Sequence, residues 1–163
     1  MIDWGSVPQW GTALIAGGAL YVGYKSIQSQ REIARKRAAM DFFAKTEMDR
    51  NTLDAHKDFT KAMEKLKASL IDGKMSASFE NSDEYWDIRD YLNLHELMSV
   101  GIMQEVFDDH VCYFFWSGEL ERAYRDTRHL IEYVQALPDQ KGTYVELVKV
   151  ARRWAEKKKL KMK

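Results

Sequence analysis

The sequence has little cysteine and no long run that alternates apolar and polar residues, and each absence limits the fold. The single cysteine, Cys112, excludes an internal disulfide framework and suits a reducing compartment. No segment alternates over enough residues to predict a strand, and no internal repeat is present. Apolar residues recur at helical spacing through most of the chain instead. We therefore predict an all-α fold.

Motifs of enzymes and metal sites are missing as well. His95-Glu96 begins a zinc-protease pattern, but Ser99 stands where the second histidine belongs. Ser117-Gly118 lacks the glycine that precedes a nucleophilic serine. Cys112 and His110 are two residues apart, so their side chains diverge on a helix. We predict no catalytic residue, no metal site and no cofactor.

The longest uncharged run, residues 7–24, predicts a single transmembrane helix. Its length of about 18 residues is close to the minimum for crossing a hydrocarbon core. The run is only weakly apolar, because Pro8 and four glycines dilute it. A helix buried in a soluble domain and a helix lying in the membrane surface remain as alternatives. Aromatic residues near its two ends fit the two headgroup layers: Trp4, Trp10, Tyr21 and Tyr24.

Basic residues beyond this run predict its orientation. One group follows it directly (Lys25, Arg31, Arg35, Lys36 and Arg37), and another lies in the C-terminal tail (Lys157, Lys158 and Lys159). Because positive charge stays on the cytoplasmic side, we predict a bacterial inner-membrane protein with its N-terminus outside and its main domain in the cytoplasm. Both groups are expected on the anionic inner leaflet, with a solvated tail as the alternative. Residues 38–148 have a net charge of about −10, which disfavours nucleic acid as a partner.

Small residues in the same run predict helix association. Ala13 and Gly17 are four residues apart, and so are Ala19 and Gly23. This spacing lets two membrane helices approach closely, so we predict a homo-oligomer formed through the N-terminal helix.

The pattern divides the chain into four parts. They are a membrane anchor (1–24), a basic juxtamembrane stalk helix that continues it (25–48), a bundle of about five helices (49–158) and a basic tail (159–163). The bundle helices are predicted from an Asp49 or Asn51 cap to Asp72-Gly73, from a Ser82 cap to Ile102, from Asp108 to a break at Gly118, from Glu119 to Leu137, and from Thr143 to Lys158. The aromatic segment 111–116 is expected to be buried, with an exposed patch at a partner or membrane surface as the alternative.

Four polar residues could form a site or a structural network. Asn93 and Glu96 share a helix face, and Arg89 and Arg122 are the candidate partners. The structural interpretation is that Glu96 bonds Arg122 or a backbone amide and fixes helix register. The functional interpretation is a small polar pocket that binds a ligand or a partner.

One pattern begins with Arg89-Asp-Tyr-Leu-Asn93-Leu-His-Glu96 and Gly101-Ile102, and it continues through Val106-Phe107-Asp108 and Gly118 to Arg122. This pattern resembles that of a bacterial and phage family known only as a domain of unknown function, number 4760. The resemblance covers roughly residues 35 to 155. It implies a small helical protein, often behind one N-terminal membrane helix, and it implies no activity. The chain departs from the family at Gln104-Glu105, where the family has a glycine.

Together these features predict a membrane-anchored, non-enzymatic helical module that binds another protein. The family's distribution implies a role in phage–host conflict, such as exclusion or defence signalling. One alternative is a helical ligand sensor or enzyme with a pocket around Asn93 and Glu96. Another is a soluble helical domain whose N-terminal helix packs on its own body.

Overall fold

The computed structural model describes residues 9–71 and 74–161. This part of the chain contains six helices: α1 (Gln9–Met48), α2 (Arg50–Ser69), α3 (Ala77–Glu80), α4 (Asp83–Met103), α5 (Asp109–Ala136) and α6 (Val145–Lys161). The all-α prediction is confirmed. Its one exception is a minimal antiparallel ladder between β1 (Leu70–Ile71) and β2 (Lys74–Met75), which is too short to show alternation. Short α3 lies between two of the predicted helices, where no helix was predicted.

Some predicted features lie outside the described residues. They are Trp4 and Pro8 at the start of the predicted anchor, the Asp72-Gly73 helix end, and the last two residues of the basic tail.

Helix α1 is continuous over 40 residues, about 60 Å, and its two halves have different surroundings. Side chains 12–34 are exposed, with Leu14 at 68%, Ile15 at 76% and Leu20 at 75%. From Ala39 onward the helix enters the core, where Ala39 and Phe43 are buried. The second half of the predicted stalk is therefore part of the bundle.

The exposed half of α1 corrects one alternative. Its described residues do not pack on the bundle, so the proposal of an N-terminal helix folded onto its own body is wrong for residues 12–34. The predicted transmembrane helix is not supported either, because no helix in the described ranges is both long and apolar enough to cross a bilayer.

The centre of the bundle is α4. Its apolar residues recur every three or four positions and are buried together with His95 on one face: Ile88, Tyr91, Leu92, His95, Met98 and Ile102. Phe59, Met63 and Leu66 of α2 belong to the same core, as do Leu130 of α5 and Trp154 of α6. Packing of α2, α5 and α6 around α4 buries apolar surface at about 25 cal/mol per Å², the dominant stabilising contribution.

The helix directions place the exposed half of α1 and the C-terminal turns of α6 at the same end of the bundle. Glu96 meets Leu147, and further along the two helices Met103 meets Arg153, so α4 and α6 run the same way. Arg35 of α1 pairs with Glu105, just beyond the end of α4. The exposed half of α1 and the C-terminal turns of α6 therefore leave the bundle near the α4–α5 loop.

Helix α5 corrects two expectations. It continues through Gly118, where a break was predicted. A glycine costs a helix about 1 kcal/mol, and burial of Cys112 and Leu120 on either side outweighs that cost. Within the aromatic segment, Phe114 and Phe115 are 77% and 54% exposed instead of buried.

Candidate functional site

Glu96 caps the start of α6. Its carboxylate accepts hydrogen bonds from the backbone N–H groups of Leu147 at 2.7 Å and Glu146 at 3.3 Å. The first N–H groups of a helix have no partner within the helix, and a negative charge there also meets the positive end of the helix dipole. Burial raises the pKa of the Glu96 carboxyl, although both amide hydrogen bonds oppose the shift. This residue therefore fixes α6 against α4.

Tyr144, immediately before α6, joins the other predicted polar residues. Its hydroxyl lies 3.3 Å from Arg89 Nε and 3.3 Å from Asn93 Oδ1. The Arg89 guanidinium also lies 5.4 Å from the ring centroid of Trp86. Tyr144 has a φ of 60°, a conformation that costs a non-glycine residue energy, and burial of its ring offsets that cost. Sequence reasoning did not place Tyr144 in this cluster, because a positive φ leaves no sequence signal at a tyrosine.

Arg122 is not part of this cluster. It pairs with Glu119, three residues earlier on α5, at 3.4 Å, and its side chain is 59% exposed. The structure thus brings Arg89, Asn93 and Glu96 together at the start of α6. All three side chains contact other groups of the protein there, and these contacts fix the orientation of α4 relative to α6.

A separate cavity of about 280 Å³ opens between the end of α1, the start of α2, the middle of α4 and the first half of α5. Its lining combines aromatic, acidic and small polar side chains: Thr46, Glu47, His56, Tyr91, Leu94, Phe115, Trp116 and Glu119. Sequence reasoning missed it, because these residues come from four elements and form no local motif. The only signal was the aromatic segment that contains Phe115 and Trp116.

His95 supports the cavity from inside the core. Its Nδ1 lies 2.9 Å from the Tyr91 carbonyl oxygen and donates to it, and its Nε2 accepts from the indole N–H of Trp116 at 2.9 Å. Burial lowers the pKa of His95 to about 4, so the ring is neutral at pH 7. Phe43 stacks on Trp116 with ring centroids 5.2 Å apart. Both contacts hold the indole in one orientation.

Tyr91 is the least exposed residue in the wall of the cavity, at 4%. Its hydroxyl lies 3.2 Å from His56 Nδ1, and its ring stacks on Phe59 at 4.0 Å. Burial raises the pKa of the Tyr91 phenol, and the nearby Glu119 carboxylate adds to the shift. The phenol is therefore protonated at pH 7 and available as a hydrogen-bond donor or acceptor.

The lining of the cavity carries negative charge. Its lining contains two carboxylates, Glu47 and Glu119, and neither lysine nor arginine. Within the described ranges, no group of three His, Cys, Asp or Glu residues is placed to hold a metal ion. Cys112 lies in the core, where burial raises the pKa of its thiol to about 12.

A model for a family described as "Domain of unknown function (DUF4760)" matches residues 12–154, most of the chain. The chain belongs to the DUF4760 family. No curated protein and no solved structure matches it.

In this DUF4760 chain, the pair Gly101-Ile102 closes the turn after α4. A Cβ atom on Gly101 would lie 2.3 Å from the Phe107 ring, so glycine is required for that contact. Glu105 has a φ of 56°, a conformation that favours glycine. Its pairing with Arg35 ties the turn to α1.

The residues predicted to contact a membrane or a second helix lie outside the core. Ala13, Gly17, Ala19 and Gly23 are exposed on α1, and a Cβ atom on either glycine would meet nothing within 4 Å. Among the basic residues, Lys25, Arg31, Arg37 and Lys159 are exposed. Lys36 pairs with Glu32 at 2.5 Å, Lys158 with Glu121 at 3.3 Å, and Lys157 lies 4.2 Å from the Tyr113 ring centroid.

Proposed function

We propose that this DUF4760 protein is a membrane-tethered, non-enzymatic module whose helical bundle binds another protein in the cytoplasm. The observation that supports it best is the first half of α1. This segment extends from the bundle with its apolar side chains uncovered. An exposed apolar surface of this extent is typical of a site that contacts lipid or another protein.

The arrangement of those side chains favours lipid. At about 100° per residue, Leu14, Ile15 and Leu20 point to three different sides of the helix axis. A groove on a partner protein would cover one stripe of such a helix, whereas lipid surrounds it. No formal charge interrupts the described part of this segment before Lys25.

The basic residues make a second favourable contribution to the free energy of membrane binding. The apolar residues of the run contribute a few kcal/mol to insertion at most. Basic residues near an anionic leaflet add about 1 kcal/mol each. Arg31, Arg37 and Lys159 are exposed near the end of the bundle from which α1 emerges, so they are placed to add to the apolar contribution.

Exposed aromatic residues support a protein partner for the bundle. Phe114 and Phe115 protrude from α5, and Phe115 lines a shallow apolar depression with Met40 and Ala44 of α1. Exposed apolar patches of this kind are typical of interaction surfaces. Self-association through Ala13, Gly17, Ala19 and Gly23 is part of the proposal. A role in phage–host conflict stays a prediction from the resemblance alone.

The alternative, a ligand sensor or enzyme around Asn93 and Glu96, has less support at that position. Those side chains are occupied by Tyr144 and by the start of α6.

Fractionation tests the tether. The full chain should sediment with bacterial membranes, resist alkaline carbonate and be released by detergent, because lipid-buried residues hold it. A chain that begins at Gln30 should stay in the supernatant. A full-length control with Leu14→Lys and Ile15→Lys should also be released, since charge at mid-helix costs roughly 3 kcal/mol per residue. Recovery of the unaltered full chain in the supernatant without detergent would overturn the proposal.

A further inference from the structure

We propose that the 280 Å³ cavity between α1, α2, α4 and α5 binds a small organic cation, an amine or quaternary ammonium group with a short apolar body. The cavity lies within the bundle, so this proposal does not depend on the membrane tether.

The negative charge of the lining favours a positively charged ligand. Glu47 and Glu119 contribute carboxylates, and no lysine or arginine belongs to the lining. Arg122 lies outside the lining and pairs with Glu119 at 3.4 Å, with its side chain 59% exposed, so a ligand cation would compete with it for the Glu119 carboxylate. An anion would meet two like charges in a partly desolvated space, which is unfavourable.

The aromatic rings supply the second element of recognition. Tyr91, Phe115 and Trp116 line the same space, and a cation within about 6 Å of an aromatic face gains roughly 0.5–2 kcal/mol. Aromatic rings combined with carboxylates form the surroundings that quaternary ammonium ions prefer.

The rings are held in place before any ligand arrives. Trp116 is fixed by its hydrogen bond to His95 and by stacking on Phe43, and Tyr91 is fixed by stacking on Phe59. A preformed site loses little conformational freedom on binding. His95, neutral behind the wall, adds no positive charge that would repel the ligand.

The size and remaining polar groups limit the ligand further. Typical ligand cavities occupy roughly 300–1,000 Å³, so this one suits a small molecule. Leu94 offers an apolar contact, and His56 and the Tyr91 hydroxyl offer hydrogen bonds to a short polar arm. Choline has this combination of a quaternary ammonium group and a hydroxyl arm, and it is the probe we select.

The test compares choline with its neutral isostere, 3,3-dimethylbutan-1-ol, on the full ¹⁵N-labelled chain in an uncharged maltoside detergent. The reporter is the Trp116 indole N–H signal, assigned by its loss in Trp116→Phe. Choline should shift it saturably, and the alcohol should bind about tenfold more weakly because it lacks the charge. The Trp154 indole, whose N–H donates to Asp109 at 2.9 Å, is the internal control and should not move.

Variants then separate the site from general charge effects. Glu119→Gln and Glu47→Gln should each raise the choline Kd by about fivefold, while their spectra stay folded. Glu64→Gln removes an exposed carboxylate of α2 outside the lining and should leave the Kd unchanged. The proposal is overturned if choline gives no saturable shift, if the alcohol binds equally well, or if Glu64→Gln weakens choline binding as much as Glu119→Gln.

Discussion

Protonation of the buried histidine should make the bundle sensitive to acid. His95 is fully buried, and burial lowers its pKa to about 4, compared with 6.5 for an unfolded histidine. Between these values the unfolded chain binds a proton that the folded chain does not bind. The free energy of unfolding should therefore fall as the pH decreases from about 6.5 to about 4, and the full loss is about 3 kcal/mol.

The assay is urea unfolding at several pH values between 7 and 4, followed by circular dichroism, on a chain that begins at Gln30. Replacing His95 by Phe removes the titrating group. It also leaves the Trp116 indole N–H, now bonded to His95 Nε2 at 2.9 Å, without an acceptor. We expect a loss of about 1–3 kcal/mol at pH 7 and a flatter dependence of stability on pH below 6.5.

The matched control is His129→Phe, an exposed histidine of α5, which should preserve the pH dependence of the unaltered chain. If the His95→Phe variant and the unaltered chain lost stability in parallel between pH 6.5 and 4, a neutral buried His95 would be refuted.

Three further substitutions test the contacts that shape the bundle. Glu96→Gln leaves one acceptor oxygen for two backbone N–H donors of α6, so we expect about 1 kcal/mol of destabilisation and a melting temperature lower by about 2–4 °C; unchanged thermal unfolding would remove the capping role. Gly101→Ala places a Cβ atom against the Phe107 ring, and the expected loss is about 1–3 kcal/mol by chemical denaturation, whereas stability at or above that of the unaltered chain would contradict the contact. Gly118→Ala adds a methyl group to an exposed helical position with nothing within 4 Å, so it should raise stability by about 0.5–1 kcal/mol; a loss instead would show that α5 does break there.

Much of the fold follows from local sequence signals. The apolar stripe of α4 is visible because one buried helix face repeats every three or four residues, and it is buried throughout. The predicted caps Ser82 and Asp108 accept hydrogen bonds from Tyr85 and Val111, because a cap depends only on its own turn.

Features that depend on tertiary packing could not be obtained in this way. Glycine has a low intrinsic helix propensity, so Gly118 predicts a helix end. Helix α5 continues because residues on either side of Gly118 are buried, and that burial depends on the tertiary structure. The hydrogen bond between His95 and Trp116 joins residues 21 positions apart on two helices, so no sequence motif predicts it. The position of Arg122 away from Glu96 depends on the rotation of α5 about its axis, which sequence spacing does not determine.

The most direct test of the account is the environment of the exposed half of α1. The buried Cys112, with its thiol pKa raised to about 12, should stay unlabelled, so a spin label can be placed on Ile15→Cys in the full chain reconstituted in anionic vesicles. Ile33→Cys, further along the same helix, is the matched control on the water side. If the exposed half of α1 lies in lipid, the Ile15 label should relax more with oxygen dissolved in lipid than with a water-soluble nickel complex, and the Ile33 label should show the reverse. Equal access of nickel to both positions would contradict it.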